Sequence, residues 1–164
     1  MTHIPSGFCT EERMLKAKEL FHGGMNCAQA VVMAFADIIE KETGVSPEDL
    51  KRLTTGFGGG FGRLREVCGC VSGMTFLAGI LAPQEGSERE RNAAAYKIVQ
   101  EMAAEYREKN GSIVCRELLG LGGEKESAVP SERTAEYYRK RPCEELVGIA
   151  AGIAARKIIE KGDA

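Results

Sequence analysis

The 164-residue chain is 43% apolar and 28% charged with a formal net charge of −2, the make-up of one ordinary folded domain, taken here as residues 1–164. Nothing in it is basic enough for a nucleic-acid footprint, and no apolar run is long enough to span a bilayer. The N-terminal stretch lacks the apolar segment of a signal peptide, so the protein is expected in the cytoplasm, where six cysteines point to metal or redox work rather than to a static disulfide framework.

The elements read as helices with punctuation. Thr10 is placed to cap a helix over 11–21, with Met14, Leu15, Ala17, Leu20 and Phe21 toward a core. Gly23-Gly24 ends it, and Asn26 with Gln29 three residues on forms a capping-box pattern. Val31, Val32, Phe35, Ile38 and Ile39 then give one helix its apolar face as far as Gly44. Ser46-Pro47-Glu48-Asp49 starts a short helix through Leu50 and Leu53 into the run Gly56, Gly58, Gly59, Gly60 and Gly62. Glycines this dense permit positive φ and close backbone approach, as in a tight buried turn or a ligand cradle.

A helix follows Cys68, carrying Val71, Met74, Leu77, Ala78 and Leu81 toward Pro83. Ser87 and Glu90 open a long amphipathic helix with Ala94, Ile98, Met102 and Tyr106 on one face, ending before Gly111. Ser112 is the expected cap of a short helix holding Cys115, Leu118 and Leu119. Residues 120–141 read as polar loop with one helical turn around 132–138, and Tyr137 and Tyr138 there suit either a flap or a plain linker. Pro142 starts the last helix, with Leu146, Ile149, Ile153 and Ile158 spaced for burial; its Gly148 and Gly152 permit close helix approach, within the monomer or at the seam of a homodimer. No alternating strand pattern occurs. The fold class is all-α, a compact multi-helix bundle with a glycine-rich loop leading into a cysteine-bearing helix.

Placed on these elements, Cys27, Cys68, Cys115 and Cys143 fall at four expected helix N-termini. Free N–H groups and the positive end of the helix dipole favour thiolate there, the form that attacks disulfides and binds metals. Four separately buried thiols are the plain alternative. Arg63 and Arg65 flank the approach to Cys68, suited to a thiolate, an anionic cluster or an anionic substrate, or simply solvated. Cys9 reads as a surface or packing thiol, His22 as a solvated helix end, and His3 as part of a loose terminus. No C-x-x-C pair is present, and without a P-loop lysine-serine pair or a preceding strand the glycine run is not read as a nucleotide site.

Gly24-Met25-Asn26-Cys27-Ala28-Gln29-Ala30-Val31, Gly58-Gly59-Gly60-Phe61-Gly62-Arg63, Cys68-Gly69-Cys70-Val71-Ser72-Gly73, and the lone Cys115 and Cys143 together resemble the C_GCAxxG_C_C family. Its members are described as redox-active proteins with four characteristic cysteines and a Cys-Gly-Ala-x-x-Gly motif. The resemblance runs from Asn26 to Cys143 and implies Cys27, Cys68, Cys115 and Cys143 as the characteristic set. Cys70 departs from it, standing where the motif has alanine and adding a fifth thiol.

Two functional classes follow. In the first, Cys27, Cys68, Cys115 and Cys143 hold an iron–sulfur cluster or another metal for electron transfer or redox sensing, with an unidentified redox partner. In the second, a metal-free thiol–disulfide oxidoreductase uses Cys68, Cys70 and Cys27 as catalytic thiols. A helical module that binds a small molecule without catalysis is the remaining reading.

Overall fold

The computed structural model describes residues 4–162, and His3 lies outside them. The chain runs through α1 (Thr10–His22), α2 (Cys27–Met33), α3 (Ala36–Thr43), α4 (Pro47–Leu53), the single turn α5 (Gly58–Phe61), α6 (Gly69–Leu81), α7 (Glu88–Asn110), α8 (Cys115–Leu118), α9 (Ala135–Lys140) and α10 (Cys143–Gly162). The all-α expectation holds: the described residues contain no strand, only an isolated antiparallel bridge between Val67 and Val114.

The apolar spacing turns inward as the periodicity requires. Phe21, Phe35, Ile39, Leu50, Met74, Met102, Tyr106, Ile153 and Ile158 are among the largest fully buried side chains, within one contiguous core. Helix α10 is buried on nearly every face, from Leu146 and Val147 through Ala150, Ala151, Ala154 and Ala155, as befits a central helix of small and apolar residues. It packs along α1 and touches α2, α6 and α7. Gly148 and Gly152 serve contact inside the chain, since a Cβ at either would collide with Lys18 or Met14 of α1.

Several local expectations shift. Leu15 is 59% exposed instead of facing the core. Thr10 is the first residue of α1 and Cys9 holds the N-cap position, its thiol directed to the Glu11 carboxylate at 3.2 Å. The single helix expected up to Gly44 breaks at Phe35. There the Ala34 carbonyl accepts from the Arg13 guanidinium at 2.7 Å, while the Ile38 N–H goes to the Phe35 carbonyl. An arginine from α1 has taken an acceptor out of the helical ladder, and the axis turns. Ser112 does not cap α8; its hydroxyl accepts from the Val114 N–H and contacts Glu117, leaving Val114 at the N-cap.

Candidate functional site: a four-cysteine cavity

Each of the four cysteines starts a helix. Cys27, Cys115 and Cys143 are the first residues of α2, α8 and α10, and Cys68 is the N-cap residue of α6. Asn26 fixes the first by a full capping box, accepting from the Gln29 N–H at 3.0 Å while Gln29 accepts from the Asn26 N–H at 3.1 Å. Helix α6 is then drawn against α2 by the glycines of Cys-Gly-Cys-x-x-Gly. A Cβ on Gly69 would sit 3.1 Å from the Ala28 nitrogen and the Cys27 Cβ, and one on Gly73 would sit 2.8 Å from the Val31 Cβ. Only hydrogen at these two positions lets the two helix starts, and hence Cys27 and Cys68, come together.

Backbone bonds bring in the third cysteine. The Cys68 N–H donates to the Ile113 carbonyl at 2.8 Å, and the Cys115 and Arg116 N–H groups donate back to Glu66 and Arg65 at 2.6 and 3.1 Å. The glycine run closes over this junction. Gly60 is left-handed (φ 69°), and a Cβ there would press on the Glu66 nitrogen and the Cys115 Cβ. Phe61, Arg63 and Arg65 are also left-handed, at φ 61°, 71° and 62°, conformations that cost non-glycine residues energy and concentrate at functional loops.

The outcome is one cavity of about 430 Å³ on whose wall Cys27, Cys68, Cys115 and Cys143 all stand. Glycines 56, 58, 59, 62 and 69 form part of the wall, and Arg63, Arg65, Arg133 and Arg141 form another part. Cys70 is fully buried behind the cavity, adjoining Cys27 and Cys68. Tyr106, also fully buried, meets the Cys68 sulfur through its hydroxyl at 3.5 Å from the core side. Cys9 and His22 do not line the cavity; His22 is exposed, stacked on Tyr138 at 4.4 Å and beside Glu144.

The thiols differ in acidity. Cys27 is held well below the ordinary thiol range, first by the Cys143 thiol as hydrogen-bond partner, then by Cys70, with Arg133 assisting. Cys68 is lowered by Cys70 and, more weakly, by Tyr106. The donors move the other way. Cys143 is raised by its bond to Cys27 and by burial, and Cys70 is raised by burial and by its bonds to Cys27 and Cys68. Burial also raises Cys115, although Arg65 lies 3.8 Å from its sulfur and opposes the shift. Burial and the neighbouring thiols push Tyr106 up, so its phenol keeps its proton.

Residues 120–141 cover the site, and the flap alternative for Tyr137 and Tyr138 is the one realised. Arg65 donates to the Glu126 carboxylate at 2.6 Å, and Arg63 donates to the Ser127 carbonyl at 2.6 Å. On α9, Tyr138 donates to the His22 carbonyl at 2.8 Å, and Tyr137 lines the cavity. The sequence reading passed over Tyr106, Arg133 and Arg141. Tyr106 was legible only as one position of an apolar stripe, and the two arginines belong to a segment with no periodicity to place them.

A family model described as "Putative redox-active protein (C_GCAxxG_C_C)" matches residues 25–157. The chain belongs to this family. Comparisons with curated proteins and with solved structures find no match. The matched span contains all four cavity cysteines together with Cys70, and it excludes Cys9. Among the described residues no three His, Cys, Asp or Glu side chains are gathered around a single-ion position, and the six cysteines are free thiols. No helix among them is long and apolar enough to cross a membrane.

Proposed function

We propose that the cavity of this C_GCAxxG_C_C protein is an iron–sulfur site, with Cys27, Cys68, Cys115 and Cys143 as ligands, serving electron transfer or redox sensing. The observation that carries the reading is the shared wall: four thiols from four separate helix starts face one space whose lining includes no histidine or carboxylate. A single tetrahedral ion needs its sulfurs close around one point, about 2.3 Å from it. A cluster spreads its thiolates over a wider core, which suits donors set on the wall of a cavity and not gathered at a point. When bound, it would supply a one-electron couple whose potential follows charge, hydrogen bonds to sulfur and exposure.

The chain's own groups suit that task. Arg63, Arg65, Arg133 and Arg141 bring positive charge to a site of thiolates, and Arg65 lies nearest Cys115. Tyr106, keeping its proton, donates toward Cys68 from the dry side. The α6 and α10 dipoles point their positive ends at Cys68 and Cys143.

A metal-free thiol–disulfide reading is favoured by one separate observation, the division of the thiols into acidified and acid-weakened partners. Cys27 or Cys68 would attack a disulfide as thiolate, and Cys143 or Cys70 would release the mixed disulfide. One experiment separates the two. Protein prepared without oxygen is expected to contain iron and acid-labile sulfide and to absorb in the visible. Cys68→Ala should abolish both properties, and Cys70→Ala should leave them largely intact. Colourless, iron-free protein after reconstitution, with Cys70→Ala trapping a mixed disulfide, overturns the cluster and establishes exchange.

A further inference from the structure

Two of the four cavity arginines are already engaged: Glu126 pairs with both Arg63 and Arg65. Among the described residues Arg133 and Arg141 make no ion pair, although the charge of Arg141 still acts on Glu126. Both are stacked on the same ring, with guanidinium carbons 4.6 and 4.8 Å from the Tyr137 centroid. Arg133 donates one bond, to the Met25 carbonyl at 3.2 Å, while its Nη1 is buried with no hydrogen-bond partner. An unmet buried donor costs about 1–3 kcal/mol, more when charged, so native structures retain few of them without a purpose. Thiolate at Cys27 draws on the Arg133 charge from a distance but gives its Nη1 no hydrogen bond.

Shape agrees with charge. The cavity, at about 430 Å³, falls within the range of about 300–1,000 Å³ usual for small-molecule sites. Leu118, Leu119, Ala128 and Pro130 add an apolar contribution to its lining.

Building on the reading of this cavity as a thiol-based redox site, we infer that Arg133 and Arg141 form an anion subsite within it. Its ligand is a small compound bearing a carboxylate or another oxyanion group, whose charged end lies on the two guanidinium groups beside Tyr137. Such a group would give the orphaned Arg133 donor an acceptor and keep the rest of the compound inside the cavity that Cys27 and Cys143 also line.

The test compares a charged with a neutral alkylating probe on the reduced, metal-free full-length protein near pH 7 and low salt, resolved by peptide mass spectrometry. Iodoacetate is expected to react at Cys27 with saturation, and about tenfold or more faster than iodoacetamide, the scale on which a charged cleft concentrates counter-ions. Arg141→Gln and Arg133→Gln should each reduce the iodoacetate-to-iodoacetamide ratio severalfold, with Arg141→Lys retaining most of it. Any loss of thiolate slows both reagents alike and leaves the ratio unmoved. Arg141 is half-buried and its side chain makes no hydrogen bond among the described residues, so its variants test the idea even if Arg133→Gln fails to fold. Acetate and sulfate as competitors distinguish a carboxylate from a tetrahedral oxyanion as the preferred head group. Failure of iodoacetate to saturate at any cavity thiol, or a ratio unchanged in Arg141→Gln, overturns the subsite. Iron content is measured separately: protein that binds iron but whose ratio does not fall in Arg141→Gln loses the subsite alone, and iron-free protein whose ratio does fall keeps it.

Discussion

The inner and outer walls of the cavity are built by opposite means. Behind the cysteines, α2, α6, α7 and α10 meet through side chains with almost no exposure, including Val31, Met74, Met102, Tyr106 and Val147. In front, residues 120–141 lie over the site with mostly exposed side chains, and 120–134 have no regular structure. They are held by Arg63, Arg65, Glu126 and Ser127, and by α9 against the end of α1. Buried apolar packing fixes where the thiols are, because it is dense and intolerant of small shifts. Polar contacts at the surface fix how charged and how accessible they are, and such contacts open at low cost.

The sharpest way to break this contrast is at Phe21, which belongs to both walls. Its ring is buried in the core, edge-on to Tyr138 and beneath the Arg133 guanidinium at 4.5 Å. Phe21→Ala is expected to cost about 3–5 kcal/mol in urea unfolding and to loosen the cover at the same time. Next in size is Gly73→Ala, whose new methyl meets the Val31 Cβ at 2.8 Å. It should cost about 1–3 kcal/mol and draw Cys70 of α6 away from Cys27, seen as a rise in the pH midpoint of Cys27 alkylation.

Tyr106→Phe probes the inner wall without moving it. Removing the hydroxyl should cost about 1 kcal/mol and raise the pH at which Cys68 becomes thiolate, by less than Cys70→Ala does, since Cys70 is the stronger influence. A Cys68 midpoint unchanged in Tyr106→Phe would assign the tyrosine to packing alone.

The smallest global effect belongs to the outer wall. Burial disfavours the charged form of Glu126, and the hydrogen bond and charge of Arg65 together with the charge of Arg63 override it, leaving its carboxyl below the ordinary range. A lowered folded-state value means the anchoring is fully present above the ordinary carboxylate range and is lost as pH falls through the lowered value. Glu126→Gln should therefore change unfolding stability by less than about 1 kcal/mol while accelerating proteolysis within 120–134 at neutral pH. Wild type should show the same acceleration only on acidification. Equal cleavage rates at neutral pH in variant and wild type would show that the cover does not depend on this carboxylate.

Periodicity and capping chemistry are local, and so the sequence by itself determined most of the helices and set Cys27, Cys68, Cys115 and Cys143 at or near helix starts, although the cap expected at Ser112 did not form. The capping boxes at Asn26 and Ser87 occur as their spacing requires. Long-range events were decided only in the tertiary structure. Arg13 reaches from α1 to break the helix at Phe35, residues 65–68 pair with 113–116, and Gly69 and Gly73 become contacts with α2 and not merely points of freedom. The same holds for Tyr106, whose place on an apolar stripe conceals that its hydroxyl ends at a sulfur. Arg133 is held by partners far away in sequence, the Met25 carbonyl and the Phe21 ring, and Arg141 shares the Tyr137 ring with it. A pattern along the chain reports which side of an element is apolar; which charge faces which thiol depends on distances that exist only after the helices have packed.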